Sequence, residues 1–143
     1  MQIGQVLRHK GHEVATIDGS RSVRDALAEL TERGIGALVV SGDGRRIDGI
    51  LSERDIARGL HERGAGLLGD PVSSVMTADV HTCVPGASVP DLARLMTDQR
   101  VRHVPVVEDG ALVGIVSIGD VVKARLDELE EERRRLVDYI QTV

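Results

Sequence analysis

The sequence predicts an α+β fold: two β-α-β-β-α repeats packed with pseudo-two-fold symmetry, followed by a long C-terminal helix. Three observations carry this. The chain matches itself when slid by 66 positions, so that Val14, Thr16, Ser22, Val23, Asp25, Thr31, Asp43 and Gly44 meet Val80, Thr82, Ser88, Val89, Asp91, Thr97, Asp109 and Gly110. After one residue is dropped in a turn, an offset of 65 pairs Gly49, Ile50, Ser52 and Asp55 with Gly114, Ile115, Ser117 and Asp120. Apolar residues then recur at helical spacing after Ser22 and Ser88, and Asp-Gly separates apolar runs in both copies, a strong hairpin signal. Register kept on both sides of a single gap is what duplication of a folding unit leaves behind. The copies are expected at 1–66 and 67–143, with Gly64-Ala65-Gly66 as the linker.

Each element follows in order. A short strand is expected at Glu13–Ile17 and again at Asp79–Cys83. Ser22 starts a helix that turns Val23, Ala26, Leu27 and Leu30 to one side, and Ser88 starts its counterpart with Val89, Leu92, Leu95 and Met96. Ala37–Ser41 turns at Gly42-Asp43-Gly44 into Arg46–Leu51, and His103–Val107 turns at Asp109-Gly110 into Leu112–Val116. A second helix starts at Ser52 and at Ser117. Short helical pieces precede the copies at Gln2–Lys10 and around Val72–Met76. One copy of about 65 residues is marginal alone, so the two are expected to bury apolar sheet faces against each other.

Composition narrows the function. The 18 Lys and Arg against 23 Asp and Glu leave a net charge of −5, without the basic footprint of a nucleic-acid binder. One Tyr and no Phe or Trp remove the platforms on which bases stack. The 43 Val, Leu and Ile are ample for an aliphatic core. A single cysteine forbids an internal disulfide or a multi-cysteine metal site and points to a reducing, cytoplasmic setting. No apolar run approaches the roughly 20 residues that span a bilayer, and Met1–Lys10 does not read as a signal peptide.

Catalysis is not expected. The five histidines are scattered, and no nucleophile lies beside a base and an orienting group. His81 and Cys83 share one strand face, but two ligands fall short of a structural zinc site. Cys83 reads as a small core residue.

Ser52 and Asp55, and again Ser117 and Asp120, stand at strand-to-helix junctions. Serine followed three residues later by an acid is first of all a helix cap, and a duplicated fold duplicates its caps. The same junction exposes helix amides that favour an anion, so Ser beside phosphate and Asp beside a ribose diol is an equally coherent division of labour. Arg102 and His103, at a strand end, are either a solvent-facing pair or the completion of a phosphate site. Their counterparts Gly36 and Ala37 cannot bind phosphate, so the two potential sites are chemically unequal, and Arg102-His103 is assigned to the ligand anchored by Asp55.

Gly36-Ala37-Leu38-Val39-Val40 with Gly49-Ile50-Leu51-Ser52-Glu53-Arg54-Asp55 resembles a CBS domain, the module named from cystathionine beta-synthase. So does Arg102-His103-Val104-Pro105-Val106-Val107 with Gly114-Ile115-Val116-Ser117-Ile118-Gly119-Asp120. The chain is thus similar, over nearly its whole length, to a tandem CBS pair, or Bateman module. That resemblance implies a regulatory module taking AMP, ADP, ATP, NAD or S-adenosylmethionine between its copies, with no other cofactor required. It also implies that Ser52, Asp55, Ser117 and Asp120 meet phosphate and ribose. Ile35, Gly36, Ala37 and Leu38, together with Val101, Val104 and Pro105, would wall the adenine. Thr16 and Thr82, at the ends of the first strands, join the candidate set, though both also read as plain strand formers.

From Ile118 to about Gln141 no residue breaks the helix. Val122, Leu126, Leu129, Arg133, Leu136, Ile140 and Val143 alternate spacings of four and three, a heptad seam with one charged member. The far end outlasts the repeat, which points to a homodimer contact. A regulated protein on another chain is implied as well. The competing expectation is a ligand-free dimeric scaffold in which both Ser-x-x-Asp motifs only cap helices.

Overall fold

A computed structural model describes residues 1–142. The first copy runs from helix α1 (Ile3–Lys10) through β1 (Thr16–Ile17), α2 (Val23–Arg33), β2 (Ala37–Val40), β3 (Gly49–Ser52) and α3 (Glu53–Arg63). Two 3₁₀ segments, Gly64–Gly69 and Val72–Ser74, lead to the second copy: α4 (Val89–Gln99), β4 (His103–Glu108), β5 (Ala111–Ser117) and α5 (Ile118–Thr142).

The helix starts follow from their capping serines. Ser22, Ser52 and Ser88 each accept the backbone N–H three residues on, at Asp25, Asp55 and Asp91. The C-termini are unlike. Gly34 ends α2 in the left-handed conformation at φ 62°, and Arg100 ends α4 at φ 55°, where glycine is the relaxed choice.

In the first sheet β2 lies between β1, to which it is parallel, and β3, antiparallel with Ala37 opposite Ser52. The second sheet has only β4 and β5, antiparallel with His103 opposite Ser117. Asp109 (φ 51°) and Gly110 (φ 78°) form its tight turn, both with the positive φ of a type I′ hairpin.

Four expectations need correction. The strand expected at Asp79–Cys83 is a single parallel bridge, Cys83 to Val106. In the first copy Val39 N–H donates to Ala15 O at 3.1 Å. The matching position is Pro105, which has no N–H to give His81, so only the bonds through Cys83 remain. The strand expected at Glu13–Ile17 is likewise trimmed to Thr16–Ile17. The first hairpin is also shorter: Asp43 accepts from the N–H of Arg45 and of Arg46, both at 2.8 Å, and this loop delays β3 to Gly49. Finally, Gly64-Ala65-Gly66 is no free linker, because it opens a 3₁₀ segment that carries fully buried Leu67 into the first core.

Two aliphatic cores result, and each is completed by the segment that precedes the other copy. The first gathers Ile17, Val23, Leu30, Leu38, Val40, Leu51 and Ile56 and takes in Leu67 and Val72. The second gathers Val89, Leu92, Met96, Val104, Val106 and Val116 and takes in Ile3, Val6 and Leu7 of α1. Chain on either side of residue 66 is therefore shared between the cores. Along β2, Leu38 and Val40 face the first core; Ala37 and Val39, which point the other way by strand alternation, are buried too. Both faces of β2 are covered, and two clefts open where the copies meet.

Candidate functional site

The first cleft, about 660 Å³, lies between Ser52 at the start of α3 and a wall of Val101, Arg102 and His103. Thr77, Val80 and His81 close another side. The second, about 600 Å³, lies between Ser117 and Ile115 on one side and Ile35, Gly36 and Ala37 on the other, with Lys10 at its edge. Both volumes suit a small-molecule site. The pairing is crossed: each capping serine faces the strand start of the opposite copy. His103, Gly36 and Ser117 line both clefts. A Cβ at Gly36 would stand 3.2 Å from His103 Cε1, so only a residue without a side chain lets the imidazole occupy this position unmoved.

Neither Asp55 nor Asp120 lines a cleft; each is bonded to the serine that does. Asp55 is 8% exposed, and its Oδ2 accepts from Ser52 N–H at 2.9 Å and Ser52 Oγ–H at 3.0 Å. Its Oδ1 accepts from Thr77 Oγ1–H at 3.3 Å, with Arg58 at 3.8 Å. This is a complete capping box. Asp120 differs: Oδ2 accepts from Ser117 N–H at 2.8 Å and from Lys10 Nζ at 2.5 Å, and that ammonium also donates to Ile115 O at 2.7 Å. Burial favours the neutral acid, but the hydrogen bonds from Lys10 and Ser117 outweigh it and hold the Asp120 carboxyl below the usual range. Burial pushes His103 the other way, below an ordinary imidazole, helped by the positive charges of Lys10 and Arg102 and opposed by Asp120 and Glu53.

The candidate residues thus separate. Ser52, Val101, Arg102 and His103 meet in the first cleft, and Ile35, Gly36, Ala37, Ser117 and His103 in the second. Leu38 and Val104 are fully buried in the two cores, because strand alternation turns them from the cleft-facing side. Pro105 is buried on the His103 side of β4 without reaching a cleft wall, and Thr16 and Thr82 line neither cleft. Residues 13 and 15, and 79 to 81, take the place expected of Thr16 and Thr82. His81 lies in the first cleft while Cys83 packs against the second core, where burial pushes its thiol up to about 11. Among the described residues no cluster of three His, Cys, Asp or Glu is placed to hold a metal.

Lys10 and Thr77 were not foreseen. Neither lies in a repeated motif, and each acts on the acid of the copy whose core its own segment joins. The N–H of Ile50 donates to Thr77 O at 2.9 Å, a strand-edge contact with no local sequence signal.

Comparison with known proteins agrees with this architecture. The CBS domain model matches residues 3–62 and again 72–127. The chain is 38% identical over 150 residues to a mitochondrial CBS domain-containing protein, CBSX3, of Arabidopsis thaliana, covering 97% of this chain and 71% of that protein. It is 36% identical over 111 residues to the A-adding tRNA nucleotidyltransferase of Aquifex aeolicus, but spans only 13% of that enzyme. Among solved structures, a CBS-domain containing protein from Agrobacterium tumefaciens superposes with a TM-score of 0.85 at 41% identity, covering 87% of this chain and 99% of that one. A CBS domain protein from Pyrobaculum aerophilum, solved in complex with AMP, superposes with a TM-score of 0.74 at 26% identity, covering 84% and 89%. With two matched copies, two cores and two crossed clefts, the chain belongs to the CBS-domain family as a tandem pair.

Proposed function

We propose that the chain is a regulatory module that binds an adenosine-containing nucleotide between its copies and signals to a protein on another chain. The observation that carries this reading is the crossed first cleft. A helix N-terminus with a serine faces Arg102 and His103 across a space of about 660 Å³, which suits a phosphate at one end and an apolar base beside Ile50, Val80 and Val101. The AMP held by the Pyrobaculum aerophilum relative supports the same class. In this reading Ser52 and Arg102 meet phosphate, and Asp55 and Asp120 keep spare acceptor capacity for ribose hydroxyls.

The closed capping box at Ser52 and Asp55 favours a second reading, a scaffold that binds no ligand. A thermal-shift panel of AMP, ADP, ATP, NAD and S-adenosylmethionine separates the two. At 100 times its dissociation constant a native-state ligand adds about 2.7 kcal/mol, a rise of several degrees, whereas the scaffold shifts with none.

The module is further proposed to act as a homodimer in a reducing compartment such as the cytoplasm. No helix among the described residues is long and apolar enough to cross a membrane. The dimer reading rests on α5, which leaves Leu126, Leu129, Leu136 and Ile140 between 51% and 71% exposed on one heptad stripe. Val143, the last seam position, lies outside the described residues. In a pairing with a second copy, Arg133 would reach a carboxylate such as Glu130 or Glu132 of the partner subunit, which offsets the charge in the seam, or lie at the solvent edge.

A further inference from the structure

The offset that pairs Gly36 with Arg102 also pairs Lys10 with Met76 and Gly11 with Thr77. The structure turns those pairings into a difference in charge. In the first copy Thr77 makes two contacts with the strand and acid it crosses: its N–H donates to Ile50 O at 2.9 Å, and its hydroxyl donates to Asp55 at 3.3 Å. Met76 packs against Gly49, where a Cβ would stand 2.6 Å from its sulfur. In the second copy the ammonium of Lys10 alone makes the equivalent pair of contacts, to Ile115 O at 2.7 Å and to Asp120 at 2.5 Å. Asp55 takes hydrogen bonds only from hydroxyl and backbone donors, with the exposed guanidinium of Arg58 at 3.8 Å, whereas Lys10 bonds Asp120 directly and makes it half of a neutral ion pair.

The consequence falls on the second cleft. Its facing wall is Gly36 and Ala37, with no cation in the place held by Arg102 and half-buried His103 in the other. Arg33, at the rim, is already engaged by Glu29 at 2.8 Å. Lys10 is therefore the positive charge closest to Asp120, and its side chain is 30% exposed, open enough to act on a bound molecule. Asp120 does not line the cleft itself but is bonded to Ser117 and Lys10, which do, and its Oδ1 has no partner among the hydrogen bonds described, which leaves it an acceptor for a ribose hydroxyl.

We propose that Lys10 sets the charge preference of the second cleft, so that it takes adenosine ligands with an uncharged or anionic 5′ substituent and disfavours a cationic one. This rests on the nucleotide-binding reading above. A carboxylate without Lys10 would repel phosphate and attract a sulfonium; the ion pair cancels that bias, and the ammonium, which lines the cleft while Asp120 does not, tips it toward an anion.

The test uses three probes that share adenosine and differ in charge: adenosine, AMP and S-adenosylmethionine. Binding is followed in the full chain by NMR at the amides of Ala15 and Ile35, which line only the second cleft. Lys10→Met, which copies the first cleft, is expected to weaken AMP about tenfold relative to adenosine and to strengthen S-adenosylmethionine about threefold. Lys10→Arg, which keeps the charge, is expected to preserve the parental order. If Lys10→Met changes all three affinities equally, Lys10 is a structural strut and the inference is overturned. It is overturned as well if only first-cleft amides such as Val80 respond in the parent. If no probe moves either set of amides, the nucleotide-binding reading itself fails.

Discussion

His103 stands where the two clefts meet, and its chemistry makes a prediction at the scale of one residue. Burial and the nearby Lys10 and Arg102 charges hold it below the ordinary 6.5. The unfolded chain therefore takes up a proton at this site before the folded chain does. Stability contributed by the neutral imidazole is complete above pH 6.5 and is lost as pH falls through that value. His103→Gln should flatten the fall in urea-unfolding free energy between pH 7.5 and 5.5; parallel curves for parent and variant would show that His103 is not held neutral. The inequality of Arg102-His103 and Gly36-Ala37 was legible in the sequence, because it needs only the repeat offset. The Lys10 contact was not, since its partner Asp120 lies 110 positions away and no motif joins them.

At the scale of elements, the repeat offset and the capping serines placed the helices, while strand lengths depended on hydrogen bonds that a hydrophobic pattern does not report. Pro105 is the clearest case. It sits inside an apolar run that reads as strand, yet its missing N–H reduces the neighbouring strand to a bridge and leaves His81 facing the cleft. The crossing of the copies depends on two matched glycines. A Cβ at Gly49 would lie 2.9 Å from the backbone oxygen of Thr77, and one at Gly114 would lie 2.7 Å from Leu7 Cδ2. Gly49→Ala and Gly114→Ala should each cost about 1–3 kcal/mol in denaturant unfolding, Gly49→Ala the more because backbone cannot rotate away. Since the Gly114 conflict is with one side chain, Leu7→Ala should cost less in the Gly114→Ala background than in the parent. Additive losses in that double-mutant cycle would place the strain elsewhere.

For the whole molecule, duplication explains both the pseudo-symmetry and its limits. The resemblance to CBS pairs covered the fold, but the shared cores were hidden, because α1 and the 3₁₀ segments bear no mark of which copy they join. The same scale governs assembly. Among the described residues nothing covers the exposed stripe of α5, so if it carries the proposed homodimer contact, truncation after Leu126 should leave a monomer in sedimentation velocity. A truncated chain that remains dimeric would move the interface to the helices of the two copies. The claim that a nucleotide phosphate lies between Ser52 and Arg102 is tested most directly by isothermal titration of AMP and adenosine into the parent and Arg102→Ala proteins. The account predicts saturable binding of both, with AMP weakened by about 1.5–3 kcal/mol on loss of the guanidinium and adenosine nearly unchanged. Absence of AMP binding to the parent, or equal losses for AMP and adenosine, would contradict it.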